Sequence, residues 1–254
     1  MAEMAAAGKA PEVLFWVGCA GSFDERAQKI TKAMVKILHH TGISFAILGQ
    51  EESCTGDPAK RAGNEFLFQM QAMNNIAVLN GYDIKKIVTA CPHCFNTLKN
   101  EYPALGGEYD VVHHTQFLQE LIDSGRLTIS GGAFKGKKIT YHDSCYLGRA
   151  NGVYEAPRKV LQALDAELKE MKRCRSKGLC CGAGGAQMFK EAEKGDKEIN
   201  NERAEEALET GASVIAANCP FCMTMMRDGV KNFNKEDQVE VLDLAELVAR
   251  AEDL

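Results

Sequence analysis

Two short runs, Cys91-Pro92-His93-Cys94 and Cys219-Pro220-Phe221-Cys222, and one adjacent pair, Cys180-Cys181, hold the side chains of this sequence most able to do chemistry. A C-x-x-C in a chain of alternating strand and helix patterns reads first as a thioredoxin-like redox pair. Thiolate is the attacking form in disulfide exchange and also the form that binds metal, so the motif alone leaves both chemistries open. The number of cysteines weighs against a simple dithiol, which needs two of them, whereas the chain has ten. The opening MAEMAAAGKAPE has neither a basic n-region nor a long apolar core, so no export signal and a cytoplasmic address are expected. Structural disulfides are disfavoured there, which leaves metal, catalysis or burial as uses for the sulfur.

The surroundings of these cysteines recur. VLFWVGCAG at Cys19 matches KITYHDSCYLG at Cys145, 126 positions on. IVTACPHCFNTL matches VIAANCPFCMTM, with Cys91 and Cys219, and Cys94 and Cys222, each 128 apart. Between them, ESCTGDP aligns with LCCGAGG by setting Cys54 on Cys181, 127 positions on, which puts Ser53 at the place of Cys180. Nearly constant spacing with matching flanks marks two homologous halves. Boundaries at 11–125 and 136–254 are expected, joined by the linker SGRLTISGGAFKGK from Ser124 to Lys137.

Each half alternates strand and helix. In the first, VLFWVG, FAIL, KKIVTA and YDVVHH are short apolar runs. Ile30, Met34, Ile37 and Leu38 share one face of a helix over Asp24 to His40. Asn64 caps a helix reaching about Leu79, and TQFLQELID gives one ending near Gly125. In the second half the strands are KKITYHD, the weaker ELKEMK, ASVIAAN and VEVLDL. Its helices include VYEAPRKVLQAL, with Pro157 in the first turn, and EINNERAEEALETG, stopped by Gly211. The pattern predicts an α/β fold of two homologous parallel α/β lobes related by internal duplication, with cysteines at the carboxyl ends of strands.

Ligands of open α/β sheets collect beyond those ends. Pro92 and Pro220 suit the first turn of a helix, whose N-terminus favours thiolate. One thiolate cluster per half is therefore expected: Cys19, Cys54, Cys91 and Cys94 in the first, Cys145, Cys180, Cys181, Cys219 and Cys222 in the second. A structural zinc takes four ligands. Five exceed that, whereas a polynuclear iron–sulfur cluster can use them. The four thiols of the first half suit an iron–sulfur cluster or zinc. A zinc-binding assembly module, and a metal-free thiol–disulfide oxidoreductase using Cys91 and Cys94, stand as alternatives.

Other features narrow the function. A net charge of −5 gives no electrostatic case for nucleic acid, and no stretch approaches a bilayer span. CCGAGGAQ fits neither G-x-G-x-x-G nor a G-K-[ST] ending, so no nucleotide or flavin site is expected. Glu202, Glu205, Glu206 and Glu209 read as a solvated helix face. His93 reads as a tuning or surface residue, because Phe221 takes its place in the other half. His142 and Asp143 read as hydrogen-bond partners near the sulfurs, or as a strand-end polar pair without function. His39, His40, His113 and His114 read as surface or cap residues, and Cys174 as a buried or spare thiol. Met223, Met225 and Met226 read as core, and Lys135 to Lys138 as solvated linker.

The pattern C-x34-C-C-x37-C-x2-C from Cys145 to Cys222, with HDSCYLGR, CCGAGG and CPFC as its marks, resembles the CCG or cysteine-rich domain. That domain occurs in the B component of heterodisulfide reductase, in the C component of anaerobic glycerol-3-phosphate dehydrogenase and in the iron–sulfur component of lactate utilisation. The resemblance covers nearly the whole chain, one domain per half. It implies that Cys145, Cys180, Cys181, Cys219 and Cys222 hold a [4Fe-4S] cluster, of the non-cubane kind found in heterodisulfide reductases. The first half departs from the five-cysteine motif, and its four thiols would suit a cubane cluster or zinc. The resemblance further implies an electron-transfer subunit of a multi-subunit oxidoreductase, acting toward disulfides, 2-hydroxy acids or glycerol 3-phosphate. The chain lacks the C-x2-C-x2-C-x3-C-P run of a ferredoxin. A ferredoxin-like iron–sulfur or flavin partner is therefore expected, with any membrane contact made through it.

Overall fold

The computed structural model describes residues 1–130, 132–191 and 194–254. The first half runs α1 (Ala2–Ala6), β1 (Val13–Trp16), α2 (Gly18–Phe23), α3 (Ala27–His40), β2 (Phe45–Ala46), α4 (Asp57–Arg61), α5 (Glu65–Gly81), β3 (Lys86–Thr89), α6 (Pro92–Asn96), β4 (Asp110–His113) and α7 (His114–Asp123). The second runs β5 (Lys138–Tyr141), α8 (Glu155–Ala163), β6 (Glu167–Leu168), α9 (Ile199–Glu209), β7 (Val214–Ala217), α10 (Pro220–Asn232), β8 (Glu240–Asp243) and α11 (Leu244–Ala251). Among the described residues each half forms a parallel four-stranded sheet, in the order β2-β1-β3-β4 and β6-β5-β7-β8. The repeat of sequence is thus a repeat of topology. Inner strands β1 and β7 are buried at every residue, as parallel strands covered on both faces must be.

Local chemistry sets the elements. Asn64 accepts from Leu67 N at 3.0 Å and opens α5. Ile30, Met34, Ile37 and Leu38 are all buried on α3. Pro92 and Pro220 begin α6 and α10, where a missing N–H costs nothing. His113 and Asp243 cap α7 and α11 at equivalent places, each closing a capping box. The linker read from Ser124 to Lys137 contains Gly131, which lies outside the described residues; Lys135, Lys137 and Lys138 are exposed. No helix among the described residues is long and apolar enough to cross a membrane.

The halves meet along a seam of reciprocal contacts. Helix α3 packs on α11, and α7 on α8. Since α3 and α8 follow the first strand of their halves and α7 and α11 the last, the two contacts are equivalent by an approximate twofold. One apolar core crosses the seam, from Phe15, Ile30 and Leu118 to Tyr141, Leu161 and Leu247. His114 Nε2 lies 2.9 Å from Asp243 Oδ1, both fully buried. Arg26 forks onto Glu246 at 2.9 and 2.7 Å.

Two surface expectations need correction. His113 is a cap, but both His113 and His114 are fully buried, because the junction of β4 and α7 lies in the seam, where His114 meets Asp243. On α9, Glu206 is buried rather than solvated. It accepts from Arg203 Nη1 at 3.0 Å and Arg173 Nε at 3.1 Å, and buried charges require such partners. Glu209 alone of that face is exposed, with Glu202 and Glu205 half-buried.

A shared core should make the halves melt together. Trp16 is the sole tryptophan and reports on the first half. In metal-free protein, its fluorescence and the far-UV circular dichroism are expected to give coincident denaturant transitions. Leu244→Ala, in the buried core that crosses the seam, should weaken both by about 3 kcal/mol. Two separate transitions would contradict the shared core.

Candidate metal centre

Strand ends deliver the sulfurs. Strand β1 runs into α2, which carries Cys19, and β3 and β7 stop two residues before Cys91 and Cys219, the N-caps of α6 and α10. Within the first half Cys19 lies against Cys54, and Cys91 against Cys94. Within the second, Cys145 contacts Cys180, Cys180 contacts Cys181, and Cys219 contacts Cys222. Cys181 Sγ and Cys222 Sγ are 3.3 Å apart. None of the ten cysteines is in a disulfide.

The two sets adjoin across the seam. Cys91 and Cys219 are hydrogen-bonded to each other across the seam. Cys19 packs on the apolar group of Cys181, Cys219, Phe221 and Cys222. Nine cysteines thus form one continuous sulfur region, because the carboxyl ends of β3 and β7 open toward the same seam. Cys174 stands outside this set, half-buried.

Thiols this crowded share protons. Hydrogen bonds from Cys145 and Cys181 hold Cys180 far below the usual thiol range. One from Cys19 brings Cys54 down to about 7, and those from Cys219 and Cys94 hold Cys91 well below its ordinary value. The donors move the other way. Cys19, Cys145 and Cys94 are raised by the bonds they donate and then by burial, and Cys181 is raised to about 12. Burial leads the rise of Cys219. Neighbouring S–H groups thus favour the anion at a few of the sulfurs, and ionising the rest would call for added positive charge.

His142 continues β5, its N–H donating to Ala216 O at 2.9 Å. A ring nitrogen lies within 4.8 Å of the Cys181 and Cys222 sulfurs. Burial, and next the Arg203 charge, push its pKa down to about 3, so the ring is neutral. Asp143 is held by other partners. It takes both Arg158 Nη atoms at 2.9 Å and Arg175 N at 2.7 Å, tying the strand end to α8 and to the loop that leads to Cys180.

A family model described as a cysteine-rich domain matches residues 13–99 and 139–227, once in each half. The chain belongs to the cysteine-rich domain family. It is 50% identical over 250 residues to "Probable iron-sulfur-binding oxidoreductase FadF" of Bacillus subtilis (strain 168), a match covering 98% of this chain and 35% of that protein. It is 34% identical to the D component of the dihydromethanophenazine:CoB--CoM heterodisulfide reductase of Methanosarcina barkeri (strain Fusaro / DSM 804), over 94% of this chain and 59% of that one. The chain therefore spans about a third of the length of relatives such as FadF. A crystal structure of a hypothetical protein from Helicobacter pylori shares the fold, with a TM-score of 0.61 at 9% identity over 96% of this chain and 49% of that one.

Superposing the two cysteine-rich domains by their chemistry corrects the sequence alignment. Gly56 N donates to Cys54 Sγ at 3.5 Å, and Gly182 N to Cys180 Sγ at 3.3 Å. Both glycines sit at positive φ, +90° and +92°, a turn closed to other residues without strain. Cys54 also contacts Cys19 as Cys180 contacts Cys145. Cys54 is therefore the counterpart of Cys180, and Thr55 that of Cys181. Thr55 Oγ1 lies 3.8 Å from Cys94 Sγ, where Cys181 touches Cys222. Ser53 is no vacant ligand position: its hydroxyl turns to Asn75 Oδ1 at 2.8 Å. A single cysteine cannot say which member of the pair it matches, so the letters alone slide by one residue here.

The same register exposes a second difference. Asp57 and His93 of the first domain stand where the second has Ala183 and Phe221. His93 Nδ1 and Asp57 Oδ2 are 2.8 Å apart, and Asp57 Oδ1 takes Arg61 Nε at 3.0 Å. His93 is buried, not on the surface, because Tyr146 and Phe221 of the second domain cover its ring at 4.2 and 5.2 Å. Burial lowers its pKa, the Asp57 hydrogen bond raises it, and the net shift is upward. Sequence reasoning missed further supports. Asn75 and Tyr102 hold the backbone of Cys54 and Thr55. Glu52 accepts from Gly18 N and Val17 N at 2.6 and 3.1 Å beside Cys19; burial brings its pKa up to about 7.

Two outcomes are expected. Metal loading should release protons, so binding should strengthen as pH rises; calorimetry in buffers of different ionisation enthalpy checks this. Thr55→Cys should raise cobalt–thiolate absorption of the first domain, while Ser53→Cys adds a thiol without changing that absorption. Equal gains from both would restore the Ser53 alignment.

Proposed function

We propose that this chain is an iron–sulfur electron-transfer subunit of a multi-subunit oxidoreductase, with domains at 11–125 and 136–254. The observation that carries this is the five-thiol set Cys145, Cys180, Cys181, Cys219 and Cys222 at one sheet edge, one more than a structural zinc takes. The donor set is soft thiolate, and it fits a cluster that needs several such ligands. The names of the relatives, an iron-sulfur-binding oxidoreductase and a heterodisulfide reductase component, support the same reading.

In this reading the five residues hold a [4Fe-4S] cluster of the non-cubane kind, and Cys19, Cys54, Cys91 and Cys94 hold a second iron–sulfur cluster or zinc. Such groups supply one-electron transfer. The chain's own residues give the surroundings. Cys181, Cys219 and Cys222 are buried and keep water from the sulfurs. Ser144 Oγ lies 3.4 Å from Cys222 Sγ, and the Gly182 N–H points at Cys180. Both can stabilise negative charge on sulfur. Substrate or hydride chemistry falls to a ferredoxin-like iron–sulfur or flavin partner in the cytoplasm, with membrane contact made through that partner. The Thr55 difference makes zinc a specific second reading for the first domain alone.

Anaerobically reconstituted protein should be brown and contain iron and acid-labile sulfide. Cys181→Ala should abolish the electron paramagnetic resonance signal of the second domain and spare any from the first. Colourless protein holding zinc alone would overturn the proposal.

A further inference from the structure

We infer that His142 is a ring N–H donor to the sulfur of the group held in the second domain and sets its reduction potential, without being a ligand to it. This rests on the iron–sulfur reading. His142 is fully buried and its ring sits beside Cys181 and Cys222. Arg203 Nε donates to Nδ1 at 3.0 Å. An arginine does not give up that proton, so Nδ1 must present its lone pair, and the neutral ring carries its proton on Nε2. The tautomer is fixed by a built support. Arg203 is itself fully buried and held by Arg173 O at 2.8 Å and Glu206 at 3.0 Å.

Nε2–H is then the ring's one unsatisfied polar group, without a partner among the described residues. A buried donor is costly to leave without an acceptor, so an acceptor at this place is part of the working molecule. Ligation by Nε2 would require a ring stripped of both protons. Donation requires nothing further.

The first domain supplies an independent parallel. Trp16, at the position equivalent to His142, is also fully buried and lies in one core group with Cys91 and Cys94. Its Nε1 likewise has no partner among the described residues. Indole N–H can only donate. Two different rings at one position of the repeat share a single capacity, which is to offer an N–H. Hydrogen bonds to cluster sulfur favour the more negative, reduced state, as partners outside the ligand set do in metal sites.

The test uses the reconstituted full chain, with iron and sulfide counted in every sample. Wild-type protein lacking iron and sulfide would remove the underlying reading, whatever His142 does. With the cluster present, ¹⁵N-histidine pulsed resonance should show a weak nitrogen coupling together with an exchangeable proton. A strong nitrogen coupling, or no exchangeable proton, would overturn the inference without any substitution. In redox titrations His142→Phe should shift the second-domain midpoint to more negative potential at unchanged iron content, and His142→Gln, which retains an N–H, should recover part of the shift. An unchanged midpoint in His142→Phe would also overturn it.

Discussion

Nine sulfurs gathered in a largely buried space cannot all be anions unless positive charge arrives with them. Much of the molecule answers to that constraint. The strands end where the sulfurs must sit, and the proline-started helices offer N–H groups there. Hydrogen bonds between thiols favour the anion at Cys180, Cys54 and Cys91. Charged side chains close by are paired with one another, as Asp143 is with Arg158 and Glu206 with Arg203. They support loops and strand ends rather than competing for the thiols.

The two domains meet the same constraint with different means. The second has a fifth sulfur, Cys181, and lines its surroundings with Ala183 and Phe221. The first replaces that sulfur with a hydroxyl at Thr55, and brings Asp57 and His93 to the corresponding wall. One thiol fewer, together with a hydrogen-bonded acid–imidazole pair, makes the first site more polar and less demanding of cationic charge. Tyr146 covering His93, and Cys19 packing on the group of Cys181 and Cys222, show that each site borrows part of its wall from the other domain.

Much of this was legible in the sequence. The duplication, the parallel α/β alternation and the sulfur positions at strand ends follow from spacing and local preference. Three things were not legible. The seam depends on which faces of α3, α7, α8 and α11 meet, and no local pattern states that, so His113 and His114 passed for surface residues. Glu206 looked solvated because its arginine partners are remote in sequence or hidden within the same acidic run. The register around Cys54 failed for want of a second cysteine. The matching glycines, Gly56 and Gly182, carried the correct alignment, but their positive φ is a property of the backbone and not of the letter.

The reciprocal packing of α3 on α11 and α7 on α8 has a historical side. Two copies of a single half, unlinked, would meet through those same surfaces as an ordinary symmetric dimer. In such a dimer every substitution appears twice, so Thr55, Asp57 and His93 could not exist beside Cys181, Ala183 and Phe221. Joining the copies into one polypeptide removed that coupling. A single gene could then keep the architecture of a homodimer while letting its two halves diverge.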